Sequence, residues 1–496
     1  MGRNPGYASS EPSAPVEAGD LPQLNGRIVI VSNRLPVAIA REDEVWGIQP
    51  AAGGLVTALA PLVKRHHGLW IGWPGSGPEA PLDSLLEEHS RQQEYDLVAV
   101  PLTEEQVEQY YRGFSNQAIW PLFHDLLGHC RFDSENWTAY VEVNRRFAEV
   151  IAAEISEDSF VWIHDYQLLL VGHFLRDMGI NNHLNFFLHI PFPAPDMFRR
   201  LPWRQQLLLG LMEFDHIGFQ TANDHRNYVQ CVRSLLPEAS IKGYRRQSVT
   251  TFNDRHVKAG YYPISIDFAE FSGAAQSKEV ADEAWYLHEN YPGRTLVLGL
   301  DRLDYTKGIP ERVVAFERML EKYPDTQEKV TLVQVVVPSR VDVPQYQALK
   351  QELDELAGRI NSRYSRHGWT PIHYMYRHLD RTQLLAHYRA CEIALVTPLR
   401  DGMNLVAKEY CAASVDNHGV LILSEFAGAA PQLAKGALMV NPYDIEGTAD
   451  AIYAAYIMKP EERRRLMRTL RAEVRRNDVQ KWIRWFLASE SEEPAN

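Results

Sequence analysis

L-R-D-G-M-N-L-V-A-K-E, residues 399–409, is the stretch of this chain that decides its fold. The apolar run before it, residues 392–397, is typical of a buried parallel strand. Pro398 and Gly402 interrupt that strand, and a helical pattern begins at about Asn404. Because a helix N-terminus carries free N–H groups and a partial positive charge, the loop between strand and helix favours anions or ligand hydroxyls.

Outward from this stretch, strand-like and helical runs alternate along the chain. Strands are expected at 27–34, 69–73, 95–101, 160–165, 185–190, 216–221, 295–300, 330–337, 372–376, 393–397, 419–423 and 438–441. Helices are expected at about 54–65, 104–112, 139–155, 167–177, 202–212, 223–236, 310–322, 344–364, 380–389, 404–414, 446–457 and 460–487. This alternation predicts an α/β protein of two doubly wound, Rossmann-like domains, each with a mostly parallel sheet. Ligands of such folds bind at the carboxyl ends of strands, so we expect a site where the two domains face each other across a cleft.

The length of 496 residues also favours two hydrophobic cores over one. The expected division is a disordered tail (1–26), an N-terminal domain (27–265), a C-terminal domain (266–475), a terminal helix packing back on the N-terminal domain (476–488) and a frayed tail (489–496).

Charge and hydropathy exclude several classes of protein. A formal net charge of −13 without an obvious basic face argues against nucleic-acid binding. No apolar run reaches transmembrane length, and the first 26 residues lack the apolar core of a secretory signal. The four cysteines show no paired close spacing, which predicts reduced thiols. We therefore expect a cytoplasmic protein that does not bind membranes.

Two cations follow an expected strand in L-D-R-L-D-Y-T-K-G, residues 300–308. Arg302 offers a forked donor and Lys307 a mobile point charge, and together they suit a pyrophosphate. The alternative at this point is a solvated loop in which Asp301 and Asp304 pair with the two cations.

Two more strand ends carry ionisable side chains. Asp165 ends a strand in W-I-H-D-Y, and His189 ends another in F-L-H-I-P-F-P. Such groups can bond sugar hydroxyls or move protons. A helix cap at Asp165 and a structural role for His189 are open alternatives.

Other residues suit a sugar-phosphate ligand. Arg34 ends the first strand, and Gly54 in A-A-G-G-L lets backbone approach a ligand at a helix start. Asp401 and Glu409, eight residues apart, could hold the hydroxyls of two sugar rings. Aromatic residues expected in loops and one more strand-end arginine complete the set, each also typical of an ordinary core or surface position: Trp73, Tyr111, Trp120 and Arg340.

The sequence contains no Asp-x-Asp pair, the usual metal ligand for a nucleotide diphosphate. Phosphate-loop, nucleophile-elbow and zinc-protease motifs are absent as well. We therefore expect neither a metal nor a cofactor.

Taken together, these motifs resemble the trehalose-6-phosphate synthase family, retaining glycosyltransferases of the GT-B fold. The resemblance covers about residues 27–487, with the motifs in the order S-N-R, A-G-G-L, G-L-W-I-G-W, Y-Y-R-G-F-S-N, I-W-P, W-I-H-D-Y, F-F-L-H-I-P-F-P, G-F-Q-T, R-L-D-Y-T-K-G, P-S-R and L-R-D-G-M-N-L-V-A-K-E. It implies transfer of glucose from UDP-, ADP- or GDP-glucose to the anomeric hydroxyl of glucose 6-phosphate. The product would be α,α-trehalose 6-phosphate, in the first step of trehalose biosynthesis.

The resemblance also implies a role for each candidate residue. The donor would be held by Gly54, Arg302, Lys307, Asp401, Met403, Asn404, Leu405, Val406 and Glu409. The reaction would depend on Asp165, His189, Arg302, Lys307 and Asp401. The acceptor would be bound by Arg34, Trp73, Tyr111, Trp120 and Arg340.

Three matters stay open at this point. The base of the donor nucleotide is not determined, because backbone groups can make most base contacts. A homo-oligomer is expected, because relatives form dimers and tetramers. The rival functions are a glucosylglycerol-phosphate synthase-like transferase and a catalytically silent regulatory subunit that binds sugar phosphates.

Overall fold

A nine-stranded sheet forms the centre of the first half of the chain, and a separate hairpin follows its first strand. The structure is a computed structural model that describes residues 26–42, 45–50, 53–243, 246–340 and 343–491. The strands of this half are β1 (Ile28–Arg34), β2 (Val37–Glu42), β3 (Val45–Pro50), β4 (Leu69–Trp73), β5 (Asp96–Ala99), β6 (Phe160–His164), β7 (Leu184–Phe187), β8 (His216–Phe219), β9 (Ser240–Lys242), β10 (Gln247–Phe252) and β11 (Arg255–Tyr261).

The sheet has the order β5-β4-β1-β6-β7-β8-β11-β10-β9, and only β10 and β9 join it antiparallel. Six of the seven residues of β1 are buried, as expected for an Ile/Val strand between two layers of helices. The strand order reverses between β1 and β6, so a crevice opens at their carboxyl ends.

The helices of this half connect the strands. Their bounds are Gly54–Arg65, Leu82–Gln93, Glu104–Gln106, a π-helix Val107–Ile119, Trp120–Phe123, Ser134–Glu154, Val171–Asp177, Pro195–Phe198, Arg204–Leu211 and Ala222–Leu235. Single 3₁₀ turns lie at Leu127–His129 and Tyr166–Leu168.

A six-stranded, wholly parallel sheet forms the centre of the second half, in the order β14-β13-β12-β15-β16-β17. Its strands are β12 (Thr295–Arg302), β13 (Val330–Val337), β14 (Ile372–Tyr376), β15 (Ile393–Val396), β16 (Val420–Ser424) and β17 (Leu438–Val440). Its helices are Phe268–Ala274, Lys278–Glu289, Ile309–Lys322, Pro344–Tyr364, Arg381–Ala390, Leu405–Ala413, Ala430–Leu433, Ile445–Ile457 and Pro460–Arg476, with 3₁₀ turns at Tyr305–Lys307 and Pro324–Thr326. The order reverses between β12 and β15, which opens a second crevice beside Arg302.

The last helix, Val479–Ser491, returns the chain from the second sheet to the first. Its Val479 N–H donates to the carbonyl of Ile266 at 3.0 Å, where the returning chain passes the outgoing one. Two of its aromatic rings pack on Trp162 of β6, with centroid distances of 5.3 Å for Trp482 and 4.4 Å for Phe486. The domain limits given above stay predictions.

The expected α/β class with parallel sheets is confirmed, while several elements were not foreseen. These include the hairpin β2–β3, the strands β9 to β11, and the helices Leu82–Gln93, Phe268–Ala274 and Lys278–Glu289. The helix expected over 460–487 is two helices. Asp478 separates them, because its carboxylate accepts the Lys481 N–H at 2.8 Å and so caps a new helix.

The four cysteines are free thiols, three of them buried. Within the described ranges, every helix is too short or too polar to cross a bilayer.

Candidate active site

The carboxyl ends of both sheets line one cavity of about 1100 Å³, here called the first cavity. Strand ends from both halves of the chain therefore meet there, as the sequence predicts. Six of the predicted site residues are in its wall: Arg34, Tyr111, Trp120, Asp165, Arg302 and Arg340.

Arg34 is held at one side of this cavity by Trp73. The guanidinium lies 4.0 Å from the centre of the Trp73 ring, and Trp73 Nε1 donates to the carbonyl of Ser76 at 3.0 Å. Burial lowers the pKa of Arg34, although interaction with Tyr111 opposes this shift. The stacked Trp73 ring orients the Arg34 guanidinium, whose positive charge can bind an anionic ligand.

Arg340 lies on the opposite side, just after β13, in a left-handed conformation with φ +48°. Its guanidinium lies 4.5 Å from the centre of the Trp120 ring and 3.5 Å from Asp304, and it donates to the hydroxyls of Tyr346 and, at 3.4 Å, Tyr166. Burial would lower the pKa of Arg340, but these tyrosines and Asp304 raise it well above its usual value.

Tyr111 lines the first cavity together with Arg34, Arg302 and Arg340. Burial would raise the pKa of its phenol, but Arg340, Arg34 and Arg302 outweigh burial and lower it. Three arginines that lower the pKa of one phenol also suit a phosphate, which takes forked N–H donors. The first cavity is therefore built for an anion with a polar body.

Trp120 is not a loop residue, so that prediction is wrong. The loop description of Tyr111 is wrong as well, while the helix expected at about 104–112 does contain it. Tyr111 lies in the π-helix Val107–Ile119, and Trp120 begins the next helix. Pro121, at the second position of that helix, favours a loop when only the sequence is considered. Proline is nevertheless well tolerated in a first helical turn. Trp73 is the last residue of β4.

Asp165 follows β6 in a left-handed conformation, with φ +78°. Its Oδ1 accepts the backbone N–H of His189 at 3.2 Å. Burial raises the pKa of Asp165 to about 6, against the opposing effects of the Tyr166 and His189 backbone N–H groups and of Arg302 and Arg340. A non-glycine residue held in this region of backbone space is a feature of functional sites.

The His189 ring is held on both sides. Nε2 lies 3.1 Å from His164 Nδ1, and Nδ1 lies 3.2 Å from Gln220 Nε2. Burial lowers the pKa of His189 to about 3, so the ring is neutral at pH 7. Both nitrogens bond protein groups. His189 is not among the described residues that line the two cavities, although its carbonyl oxygen lies against Gly402 of the second lobe.

A second cavity, of about 940 Å³, adjoins the first, and Gly53 lines both. Its wall includes Gly54, Leu405 and Glu409. A Cβ atom on Gly54 would lie 2.4 Å from Leu405 Cδ1, so the start of one helix packs closely on the first side chain of the other. Two helix N-termini, one from each half of the chain, thus face one space that favours an anion.

Glu409 lies deep in this second cavity. It accepts the hydroxyl of Tyr388 at 2.7 Å. Burial raises the pKa of Glu409, and the Tyr388 bond and Arg381 oppose the shift. A fixed carboxylate of this kind can accept a pair of ribose hydroxyls.

Lys307 and Asp401 form an ion pair between the 3₁₀ turn after β12 and the loop after β15. Lys307 Nζ lies 2.5 Å from Asp401 Oδ2, which also accepts from Asn404 Nδ2 at 3.2 Å. Burial would raise the pKa of Asp401, but Lys307 outweighs burial and lowers it. Neither residue is among the described residues that line the two cavities.

The loop 401–406 ends in the predicted helix start. Asn404, at φ +74°, caps the helix Leu405–Ala413 by accepting the Ala407 N–H at 3.2 Å, and Met403 is buried. Val406 lies in the first turn of that helix. A Cβ atom on Gly402 would lie 2.1 Å from the carbonyl oxygen of His189, so only glycine lets this loop touch the first lobe.

Several residues at the site were not singled out from the sequence. Tyr166 follows Asp165 directly, so its position was a usable signal, whereas Tyr346 and Tyr388 lie within helices and gave none. His124 donates from Nδ1 to the Trp120 carbonyl at 2.7 Å, and its ring packs against the Trp120 ring at a tilt of 38°. Across the described ranges, no three His, Cys, Asp or Glu side chains are placed to hold a metal ion.

Two facing α/β lobes with an anion-binding cleft between them define a glycosyltransferase of the GT-B class. The family model described as glycosyltransferase family 20 matches residues 26–491. The chain belongs to glycosyltransferase family 20.

Two relatives show how far the likeness extends. A trehalose-6-phosphate synthase of Mycolicibacterium vanbaalenii is 42% identical over 473 residues, 94% of this chain and 96% of that protein. The UDP-forming alpha,alpha-trehalose-phosphate synthase A of Dictyostelium discoideum is 40% identical over 468 residues, 92% of this chain. The match spans 62% of that longer protein.

Two solved structures share the fold. A UDP-forming alpha,alpha-trehalose-phosphate synthase from Burkholderia xenovorans, in complex with glucose 6-phosphate, has a TM-score of 0.85 at 35% identity and covers 94% of this chain and 100% of its own. A trehalose-6-phosphate protein from E. coli, bound with UDP-2-fluoro glucose, has a TM-score of 0.84 at 36% identity and covers 95% and 100%. The predicted GT-B fold and family are confirmed.

Proposed function

We propose that this chain transfers glucose from UDP-glucose to the anomeric hydroxyl of glucose 6-phosphate, with retention of configuration, and forms α,α-trehalose 6-phosphate. The observation that carries the proposal is the placement of Arg34, Arg302, Arg340 and Tyr111 in the wall of one cavity that adjoins a second one lined by Glu409. Relatives described as UDP-forming favour uridine over adenosine and guanosine as the base.

The first cavity is the proposed acceptor site. Arg34 and Arg340 bind the phosphate of glucose 6-phosphate, while Trp73 and Trp120 hold the two guanidinium groups by stacking. Tyr111 lies between them and bonds the same phosphate or its sugar. A relative crystallised with glucose 6-phosphate supports this choice of ligand.

The second cavity is the proposed donor site. Glu409 takes the ribose hydroxyls, and Gly54 offers its backbone N–H to the diphosphate. Arg302 and Lys307 bind the diphosphate oxygens, Asp401 orients the donor glucose, and backbone groups of Met403, Asn404, Leu405 and Val406 complete the site. A relative bound with a fluorinated UDP-glucose supports this ligand.

Cleavage of the glucosyl–phosphate bond builds negative charge on the leaving diphosphate. Arg302, Lys307 and the facing helix starts stabilise that charge as it forms. Because these contacts are stronger in the transition state than in the ground state, they lower the activation barrier, which contacts of equal strength in both states would not do. In a closed cleft these charges act at low dielectric and water is kept from the donor. The arrangement supplies without a metal what a divalent cation would supply.

Retention is proposed to follow from attack on the same face that the diphosphate leaves. The leaving phosphate takes the acceptor proton, while Asp165 and His189 shape the wall beside the sugars. A covalent glucosyl-enzyme trapped in an Asp165→Asn variant would overturn this step, since it would mark a protein nucleophile.

The deciding experiment supplies glucose 6-phosphate or glycerol 3-phosphate with UDP-, ADP- or GDP-glucose and identifies the product by NMR. We expect α,α-trehalose 6-phosphate from UDP-glucose and glucose 6-phosphate. A product from glycerol 3-phosphate alone would favour the glucosylglycerol-phosphate alternative, and no nucleotide release would favour a silent regulatory subunit. The cytoplasmic location and the homo-oligomer stay predictions.

A further inference from the structure

A chain of hydrogen bonds runs from the segment between the lobes to two neighbouring histidines, His189 and His164. The Ile264 N–H donates to Gln220 Oε1 at 2.9 Å, and Gln220 Nε2 lies 3.2 Å from His189 Nδ1. His189 Nε2 lies 3.1 Å from His164 Nδ1. Gln220 and His164 are fully buried.

One backbone group sets the direction of every proton in this chain. A backbone N–H can only donate, so the Gln220 atom that faces Ile264 is the oxygen and the other is the NH₂ group. Gln220 therefore donates to His189 Nδ1, and the proton of the neutral His189 ring is on Nε2. His189 in turn donates to His164 Nδ1, which leaves the His164 proton on Nε2. Both rings are neutral, because burial lowers the pKa of each.

The last N–H group in this chain of hydrogen bonds, at His164 Nε2, lacks an acceptor. His164 Nε2 is buried and has no partner within the described ranges, while His164 is part of the wall of the first cavity, next to Asp165. A buried donor without an acceptor costs free energy. The site would recover that cost with a ligand, or a water held by a ligand, that accepts a hydrogen bond there.

This chain of hydrogen bonds is also connected to the second lobe. Lys408 Nζ donates to the carbonyl of Ile264 at 2.7 Å, and Lys408 directly precedes Glu409 in the helix Leu405–Ala413. The peptide groups on both sides of Ile264 are thus fixed, one by the proposed donor helix and one by Gln220. The orientation of Gln220 depends on that segment.

We propose that Gln220 is a positioning residue of the acceptor site: it fixes the tautomer of His189, so that the unpartnered Nε2 of His164, a residue in the wall of the first cavity, carries an N–H and not a lone pair. The identity of the acceptor rests on the proposed function, but the tautomers do not. Nothing else in the chain of bonds decides the tautomer of either ring.

The direct test is ¹⁵N NMR of selectively histidine-labelled, ligand-free protein at pH 7, with signals assigned by His164→Asn and His189→Asn. We expect both rings as Nε2–H tautomers in the wild type. Gln220→Glu replaces the donor by a carboxylate, which in catalytic triads holds the proton on the facing Nδ1. Both rings should then switch to the Nδ1–H tautomer. A wild-type His189 protonated on Nδ1, or unchanged tautomers in the variant, would overturn the proposal.

Steady-state kinetics supply the second readout. With the His164 donor lost, the KM for glucose 6-phosphate should rise ~3- to 10-fold, as for one neutral hydrogen bond, while the KM for UDP-glucose stays the same. An equal rise in both values would indicate a general structural effect and reject the role. Gln327→Glu adds the same charge at a half-buried glutamine that bonds the Leu320 carbonyl, and it should change neither value.

If Gln220→Glu does not fold, Gln220→Met keeps the volume and removes both polar atoms. It should give mixed tautomers at His189, and a single Nε2–H form would count against the proposal. If instead the wild type transfers no glucose while the tautomers are as expected, the proposed function fails and the hydrogen-bond chain stands.

Discussion

Lys307 Nζ lies 2.5 Å from Asp401 Oδ2, and these two side chains are only 10% and 13% exposed. The cation proposed for the leaving diphosphate is thus already paired with the carboxylate proposed for the donor glucose. A phosphate that enters the donor site competes with Asp401 for Lys307 and frees Asp401 to accept a sugar hydroxyl. The pair therefore keeps both charges compensated until a ligand takes them over.

Replacing Lys307 by Met should harm stability and turnover for different reasons. The variant leaves Asp401 buried and unpaired, which costs roughly 3–5 kcal/mol of unfolding free energy. The double variant Lys307→Met, Asp401→Asn removes both charges and should recover most of that stability, yet remain inactive. Urea unfolding and UDP release measure the two effects. Turnover in the double variant near the wild-type rate would contradict the proposed role of Lys307.

Arg340→Ala should weaken the acceptor far more than the donor. The guanidinium supplies charge-assisted bonds of about 1.5–3 kcal/mol, which predicts a rise in the KM for glucose 6-phosphate of roughly 10- to 150-fold. The KM for UDP-glucose should change little. Arg377→Ala, at an exposed arginine just after the neighbouring strand β14, is the matched control and should leave both values unchanged. Equal losses for both substrates in Arg340→Ala would refute the assignment.

Asp165 should make the stability of the protein depend on pH. Its pKa is raised from 3.8 to about 6, first of all by burial, so the folded state keeps a proton that the unfolded state has lost. Its contribution to stability is therefore full below about pH 4 and is lost as pH rises through 6. Relative to wild type, Asp165→Asn should become progressively more stable between pH 4 and 7, measured by urea unfolding. The exposed Asp282→Asn should give a curve parallel to wild type.

Turnover should not require a divalent metal, because Arg302, Lys307 and the helix starts are proposed to stabilise the leaving diphosphate. We expect the rate of UDP release with EDTA to stay within about twofold of the rate without it, since these charges replace the metal. Arg302→Ala should instead lower kcat by about 10- to 100-fold, in line with the loss of one charge-assisted contact. A rate abolished by EDTA and restored by Mg²⁺ would reject the mechanism.

The sequence predicts the parallel sheets and the strand-end residues well, because both depend on local pattern. Val and Ile runs followed by polar residues place Arg34, Asp165 and Arg302 at carboxyl ends, and the fold brings those ends together. The sequence predicts less well which side chains from distant parts of the chain contact these site residues. Tyr346 reaches Arg340 from inside a helix, and Gln220 reaches His189 from the end of another strand. Their roles depend on packing between elements, which no local pattern encodes.

The stretch 460–487 shows a second limit. Its apolar spacing is continuous with one helix, but Asp478 begins a new one and redirects the chain to the first sheet. One capping hydrogen bond decides that change of direction. A helical periodicity without cap geometry therefore overestimates helix length.

The contact between Gly402 and the His189 carbonyl has an evolutionary consequence. Any side chain at 402 would meet the carbonyl oxygen of His189 and the backbone of Ile190, so the loop 401–406 would have to move away from the first lobe. We expect a Gly402→Ala variant to lose transfer of glucose, because the proposed donor loop would no longer meet the lobe that holds the proposed acceptor site. Selection would then retain glycine at a position whose own residue has no side chain to offer a substrate.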